Sequence, residues 1–197
     1  MNSAPRDAHG FTLVEMMISL ALLVVATSAM ATYLIQSMQA NKGAQMALAT
    51  QANARNCMSM IQSVLRSAGW DPRDVGMSAV ALDPTPSGPD NYIEVFADLN
   101  ADGDSADARE DITIRHHADT IEWKTTGAAT TYVVLADSIT NDANQDGTIE
   151  PMFTPNSTTD PTRINVRITA RSPAPDPKTR QFLTYTITSD IVLRGRL

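Results

Sequence analysis

Two acidic segments carry the residue types that bind hard cations. Asp98, Asn100, Asp102 and Asp104 alternate, with Gly103 after Asp102. Asp142, Asn144, Asp146, Gly147, Thr148, Ile149 and Glu150 repeat the theme. Both read D-x-N-x-D-G, the front half of a calcium loop, in which alternate residues converge oxygens on one point and the Gly permits a sharp turn. Neither is complete. A full EF-hand loop places a bidentate Glu at position 12, where these loops have Arg109 and Phe153. Glu110 or Asp111 stands one step off to close the first, and Glu150 is the candidate for the second. The expected cofactor is Ca²⁺, held weakly. The competing reading is a pair of solvated turns, since Asp and Asn favour turns on their own account.

Glu15 is the second residue placed for chemistry. It stands at the front edge of Met16–Ile35, twenty residues without a charge, which is a membrane-span length. A carboxylate there is costly unless it has a partner. Gly10 precedes Phe11, and a cut between them would create an α-amine four residues from Glu15. Other chemistry finds little support. His116 and His117 are adjacent on a predicted strand, so they point to opposite faces and share a metal poorly; both read as exposed or half-buried. There is no G-x-S-x-G, Gly-rich phosphate loop or H-E-x-x-H, so no enzyme is expected.

The net charge of −7 and the absence of a Lys/Arg cluster argue against nucleic-acid binding. A single cysteine, Cys57, excludes an intrachain disulfide and reads as a buried small hydrophobe. No proline occurs between Pro5 and Pro72. The pattern predicts one helix from Phe11 to about Ala68, roughly 85 Å long, ending at Gly69 as its C-cap. Cys57, Met60, Ile61, Val64, Leu65 and Ala68 form an apolar stripe on its second half. Beyond residue 70 the texture is antiparallel β, with strands at Asn91–Ala97, Asp111–His117, Thr120–Thr125, Thr131–Ala136, Thr162–Arg171 and Gln181–Leu193. The helix stripe is the expected cover for their buried faces. The expected fold is α+β, divided into a leader (1–10), a membrane or fibre-core half of the helix (11–35), an amphipathic half (36–69) and a β body (70–197).

Gly10-Phe11-Thr12-Leu13-Val14-Glu15 followed by an apolar helix resembles the class III leader of type IV prepilins and of type II secretion pseudopilins. Leu65–Trp70, Val134–Thr140 and the terminal Ile191–Arg194 are similar to PilW-type minor pilins, a group similar to minor pseudopilin J. The resemblance implies that prepilin peptidase reads Gly10, that Phe11 is freed and N-methylated, and that Glu15 sets register during assembly. It implies an inner-membrane protein with a periplasmic body, later extracted into an extracellular fibre. Its partners would be other minor pilins, the major pilin and the inner-membrane assembly platform. Three alternatives stand beside it: a type II secretion pseudopilin, a secreted calcium-stabilised β domain cut after Ala29-Met30-Ala31, and a tip adhesin.

Overall fold

The computed structural model describes residues 11–82, 91–125, 131–159 and 161–193. Gly10, with the rest of the leader, and the proline-rich segment 83–90 lie outside the described residues. The architecture is α+β. One helix, α1 (Leu13–Ser67), leads into β1 (Val80–Leu82), β2 (Tyr92–Phe96), β3 (Asp111–His117), β4 (Thr120–Thr125), β5 (Val133–Ala136), β6 (Phe153–Pro155), β7 (Arg163–Arg171) and β8 (Thr184–Val192). All pairings between these strands are antiparallel.

The helix begins later than Phe11 because Thr12 caps it. The Thr12 hydroxyl accepts the Glu15 N–H at 3.3 Å, and the Glu15 carboxylate accepts the Thr12 N–H at 2.9 Å. This reciprocal capping box satisfies two of the amides a helix start leaves orphaned. At the far end the C-cap is Ala68, one residue before the expected Gly69, which follows at φ 71. Only glycine enters that left-handed conformation without strain from a Cβ. The Gly69 N–H then donates to the Phe96 carbonyl at 2.8 Å, docking the helix exit on β2.

The buried face of α1 is Thr50, Ala54, Cys57, Met58, Ile61, Leu65 and the capping Ala68. Met60, placed on the stripe by sequence spacing, is 45% exposed, whereas Met58 is 3% exposed. Consecutive residues sit about 100° apart around a helix. Met60 therefore falls outside the arc centred on Ile61, and Met58 falls within it. The face packs chiefly on β7 and β8. Burying Ile61 and Leu65 there contributes about 1.5–3 kcal/mol each. Cys57 is buried as expected, and burial pushes its thiol pKa up to about 12, which keeps it protonated and unreactive.

The body splits into two sheets, ordered β1-β2-β3-β4-β5 and β6-β7-β8. The β3–β4 hairpin turns at Ala118–Asp119, with Ala118 at φ 51. On β7, Ile164, Val166, Ile168 and Ala170 are fully buried, as the alternation predicts. Strands β1 and β6 escaped the sequence reading because three residues are too few to show alternation. One core joins everything: Ile61 and Leu65 from the helix, Ile93, Ile114 and Ile121 from the first sheet, Ile164, Ile168 and Ile191 from the second.

Two devices tie the sheets together. The segment after β5 crosses over to run beside β7, through an Ile139–Ala170 bridge, Thr140 N–H to the Thr169 carbonyl (2.9 Å) and Arg171 N–H to the Ser138 carbonyl (2.8 Å). Asn91, 2% exposed at the foot of β2, accepts the N–H groups of Met152 (3.1 Å) and Phe153 (3.0 Å) at the start of β6. His116 is fully buried, not exposed or half-buried, because it shares the face of β3 that carries Ile112 and Ile114 into the core and pairs with the buried Ile121. Its Nε2–H donates to the Ile139 carbonyl at 2.9 Å. His117 is exposed as expected.

Gly43 has a packing role that helix propensity alone does not reveal. A Cβ at that position would lie 2.9 Å from Asp176 Oδ2. That carboxylate is held in place, since its other oxygen accepts the N–H groups of Lys178 (2.6 Å) and Thr179 (3.1 Å). Gly→Ala in an open helix gains about 1 kcal/mol, which would raise Tm by roughly 2–4 °C in a chain of this size. Gly43→Ala is expected to show no such rise in thermal unfolding of the full chain in detergent. A rise of that size would mean the 172–181 loop does not press on the helix.

Candidate functional site

Two regions hold the candidate residues, and the N-terminal one is built by the helix itself. Phe11 stands just outside α1 and is 83% exposed. Every residue from Phe11 to Gln36 is exposed, so no part of the body covers the apolar half of the helix. It is long and apolar enough to cross a membrane, and none of its most apolar stretch is buried. Water is a poor solvent for such a surface, so the helix needs lipid or other helices around it. Glu15 is the one acidic group in its first turn. Its carboxylate reaches back over the helix start, with Oε2 2.9 Å from both the backbone N and the hydroxyl of Thr12. The position an amine on Phe11 would take is one peptide unit further on.

Residues 5–31 match the family model described as the prokaryotic N-terminal methylation motif. The chain thus carries a type IV pilin-like prepilin N-terminus. The match spans the leader and the front of α1 and includes nothing of the β body. No curated protein and no solved structure matches the chain. Pilin-like proteins of this motif are structural subunits, and the motif together with the uncovered apolar helix fits a single-pass protein anchored in the inner membrane.

The acidic loops form the second region. Both fold alike at their fronts. Asp98 accepts the N–H groups of Asp102 (3.1 Å) and Gly103 (2.9 Å), and Asp142 accepts those of Asp146 (3.1 Å) and Gly147 (3.0 Å). Positive φ falls at equivalent places: Ala101 (64) and Gln145 (58), Gly103 (99) and Gly147 (85). The shared D-x-N-x-D-G spelling therefore yields one shared backbone.

They differ at their exits. In the first loop Arg109 adopts φ 77 and stays exposed, and Glu110 turns inward to 2% exposure. Glu110 Oε1 accepts the N–H groups of Leu99 (2.8 Å) and Asn100 (3.0 Å). One oxygen each from Asp98, Asp102 and Glu110 lies within 4.8 Å of the others. Asn100 stands beside them, its amide donating to Asp102 (3.0 Å) and Asp107 (2.6 Å). Asp104, expected as a ligand, has its carboxylate turned to the Ala106 N–H at 2.8 Å and is not part of the trio. The hydrogen bond from Asn100 holds Asp102 below its ordinary pKa, and the neighbouring Asp102 carboxylate, by hydrogen bond and charge, raises that of Asp107. Asp107 went unnamed in the sequence reading, although it lies inside the acidic run.

In the second loop Glu150 is engaged elsewhere. Its carboxylate pairs with Arg167 of β7 at 2.9 Å. Phe153, at the position a twelfth ligand would take, is buried in the core as the first residue of β6. Asn144 donates to Asp146 at 2.9 Å and the Thr148 N–H to Asp146 at 2.7 Å. That N–H, foremost, lowers the Asp146 pKa. No trio like the first loop's forms there among the described residues.

Proposed function

We propose that this chain is a minor pilin of a type IV pilus, cleaved between Gly10 and Phe11, N-methylated on Phe11, and built into or priming the fibre tip. The observation that carries the reading is the uncovered apolar helix behind a methylation motif, with Glu15 at its front edge. Before assembly the helix sits in the inner membrane with the β body on the periplasmic side. On extraction into a fibre its apolar half packs among the same halves of the major pilin and other minor pilins, exchanging lipid for sister helices. The carboxylate of Glu15 then pairs with the methylated amine, its own or a neighbour's, and so fixes axial register. A folded body of two sheets with elaborated loops suits a scarce subunit better than a bulk one, because such a surface repeats poorly along a fibre. The similarity of Leu65–Trp70 and Val134–Thr140 to PilW-type minor pilins points the same way. A type II secretion pseudopilin has the same N-terminal chemistry and is the second reading.

The test is the mature N-terminus of the membrane-fraction protein by mass spectrometry. The expected species begins with N-methylated Phe11. A start at Thr32 would remove the membrane helix, and the fibre subunit reading with it.

A further inference from the structure

The geometry points to a single Ca²⁺ site in the first acidic loop, built from Asp98, Asn100, Asp102 and Glu110, while the second loop is a metal-free turn of the same spelling. The argument does not rest on the pilin reading. An acidic cluster alone is often a solvated turn. What separates this one is Glu110 Oε2: it is buried, belongs to a residue 2% exposed, and has neither a hydrogen bond nor an ion pair among the described residues, although its twin oxygen accepts two N–H groups. Glu150 Oε2 of the second loop also lacks a hydrogen bond but has the Arg167 guanidinium 2.9 Å away. A buried carboxylate oxygen without a donor is costly unless a cation completes it. Asp98 is fully buried and brings an oxygen to the same cluster as Glu110 and Asp102.

The donor set is all oxygen and mostly anionic, which selects a hard cation. Ca²⁺–oxygen bonds run 2.3–2.6 Å, so two ligands of one ion lie up to about 5 Å apart, and the trio's 4.8 Å limit falls within that span. Mg²⁺ demands tighter octahedral geometry and gives up water reluctantly. A mostly anionic, partly buried set of oxygens suits Ca²⁺ better. The closing ligand sits one residue later than in an EF-hand because Arg109, at φ 77, absorbs the extra step.

The site abuts the helix exit. Asp98 N–H donates to the Trp70 carbonyl at 2.8 Å, and Arg73 reaches the Asp102 carbonyl at 2.7 Å. Ca²⁺ therefore braces the junction where α1 meets β2, linking the helix to the body.

The experiment is equilibrium dialysis of the full chain in detergent against CaCl₂ and, separately, MgCl₂, read by elemental analysis. The expected result is one Ca²⁺ per chain with Kd in the extracellular range of about 10⁻⁴–10⁻³ M, and weaker Mg²⁺ binding. Glu110→Gln should weaken Ca²⁺ binding at least about tenfold by removing one ligand charge, while its remaining oxygen still accepts the Leu99 and Asn100 amides. Asp102→Asn, at an exposed position and with an oxygen left to accept the Asp104 N–H, should do the same. Asp142→Asn should leave binding unchanged. No binding at about 10 mM Ca²⁺, well above that range, overturns the site. So does binding that survives both Glu110→Gln and Asp102→Asn, or that Asp142→Asn abolishes.

Discussion

Glu15→Ala is expected to yield a chain that inserts in the membrane and is cleaved at Phe11, yet is nearly absent from fibres. Insertion depends on the apolar run after Glu15, and removing a charge from its edge favours it. In the proposed processing, cleavage is read from the leader side, at Gly10, which this substitution leaves in place. Incorporation is different, because the interior of the proposed fibre would offer a methylated Phe11 amine little water and few counterions. A charge-assisted hydrogen bond contributes about 1.5–3 kcal/mol, so its loss lowers occupancy roughly ten- to a hundredfold. Glu15 also closes a capping box with Thr12, and the two roles separate cleanly. Glu15→Gln keeps a capping acceptor, since Gln serves in that position, but lacks the charge. It should fail in assembly nearly as badly as alanine. Quantifying the subunit in sheared fibres against the membrane fraction decides it. Normal incorporation of the Gln variant would assign Glu15 to helix capping and remove charge pairing from the mechanism.

The second large effect is expected deep in the body. Asn91→Ala should lower the unfolding free energy by roughly 2–6 kcal/mol, because it strands two buried amides at about 1–3 kcal/mol each. Those amides, on Met152 and Phe153, begin the second sheet, while Asn91 itself leads into the first. Its own carbonyl also accepts the His116 N–H at 2.9 Å, so the residue is fixed from both sides. Thermal unfolding of the full chain in detergent should show Tm falling by roughly 5–20 °C. Thr188→Ala, at an exposed position on β8, should change stability by less than about 0.5 kcal/mol. A loss below about 1 kcal/mol for Asn91→Ala would mean that water or a shifted β6 takes over both amides.

These two residues mark how differently the chain discloses itself. Glu15 stands out in the sequence because its meaning is local: one carboxylate before twenty uncharged residues, behind a Gly-Phe step. Asn91 does not, because the amides it serves lie 61 and 62 positions away. The hairpin of β3 and β4 was readable to the residue, since its alternation and its Ala118–Asp119 turn are both short-range signals. The helix stripe was readable with one error, Met60 for Met58, because periodicity gives the width of a face and only the partner sheet fixes its centre.

The acidic loops show the same division most sharply. Their common spelling determined a common backbone, down to matching positive-φ positions, because Asx turns and glycine act within a few residues. Nothing in that spelling distinguished Glu110 from Glu150. What did was packing beyond the motif. Arg109 turns out and Glu110 in as β3 begins, whereas β7 brings Arg167 against Glu150. By itself, then, the sequence determined the uncovered apolar half of the helix, the placement of the one charge at its front edge, the α+β composition and the front of each loop. The tertiary structure decided the split into two sheets, the burial of His116 and which loop's buried carboxylate oxygen has a guanidinium beside it, because each depends on distant segments meeting in a single core.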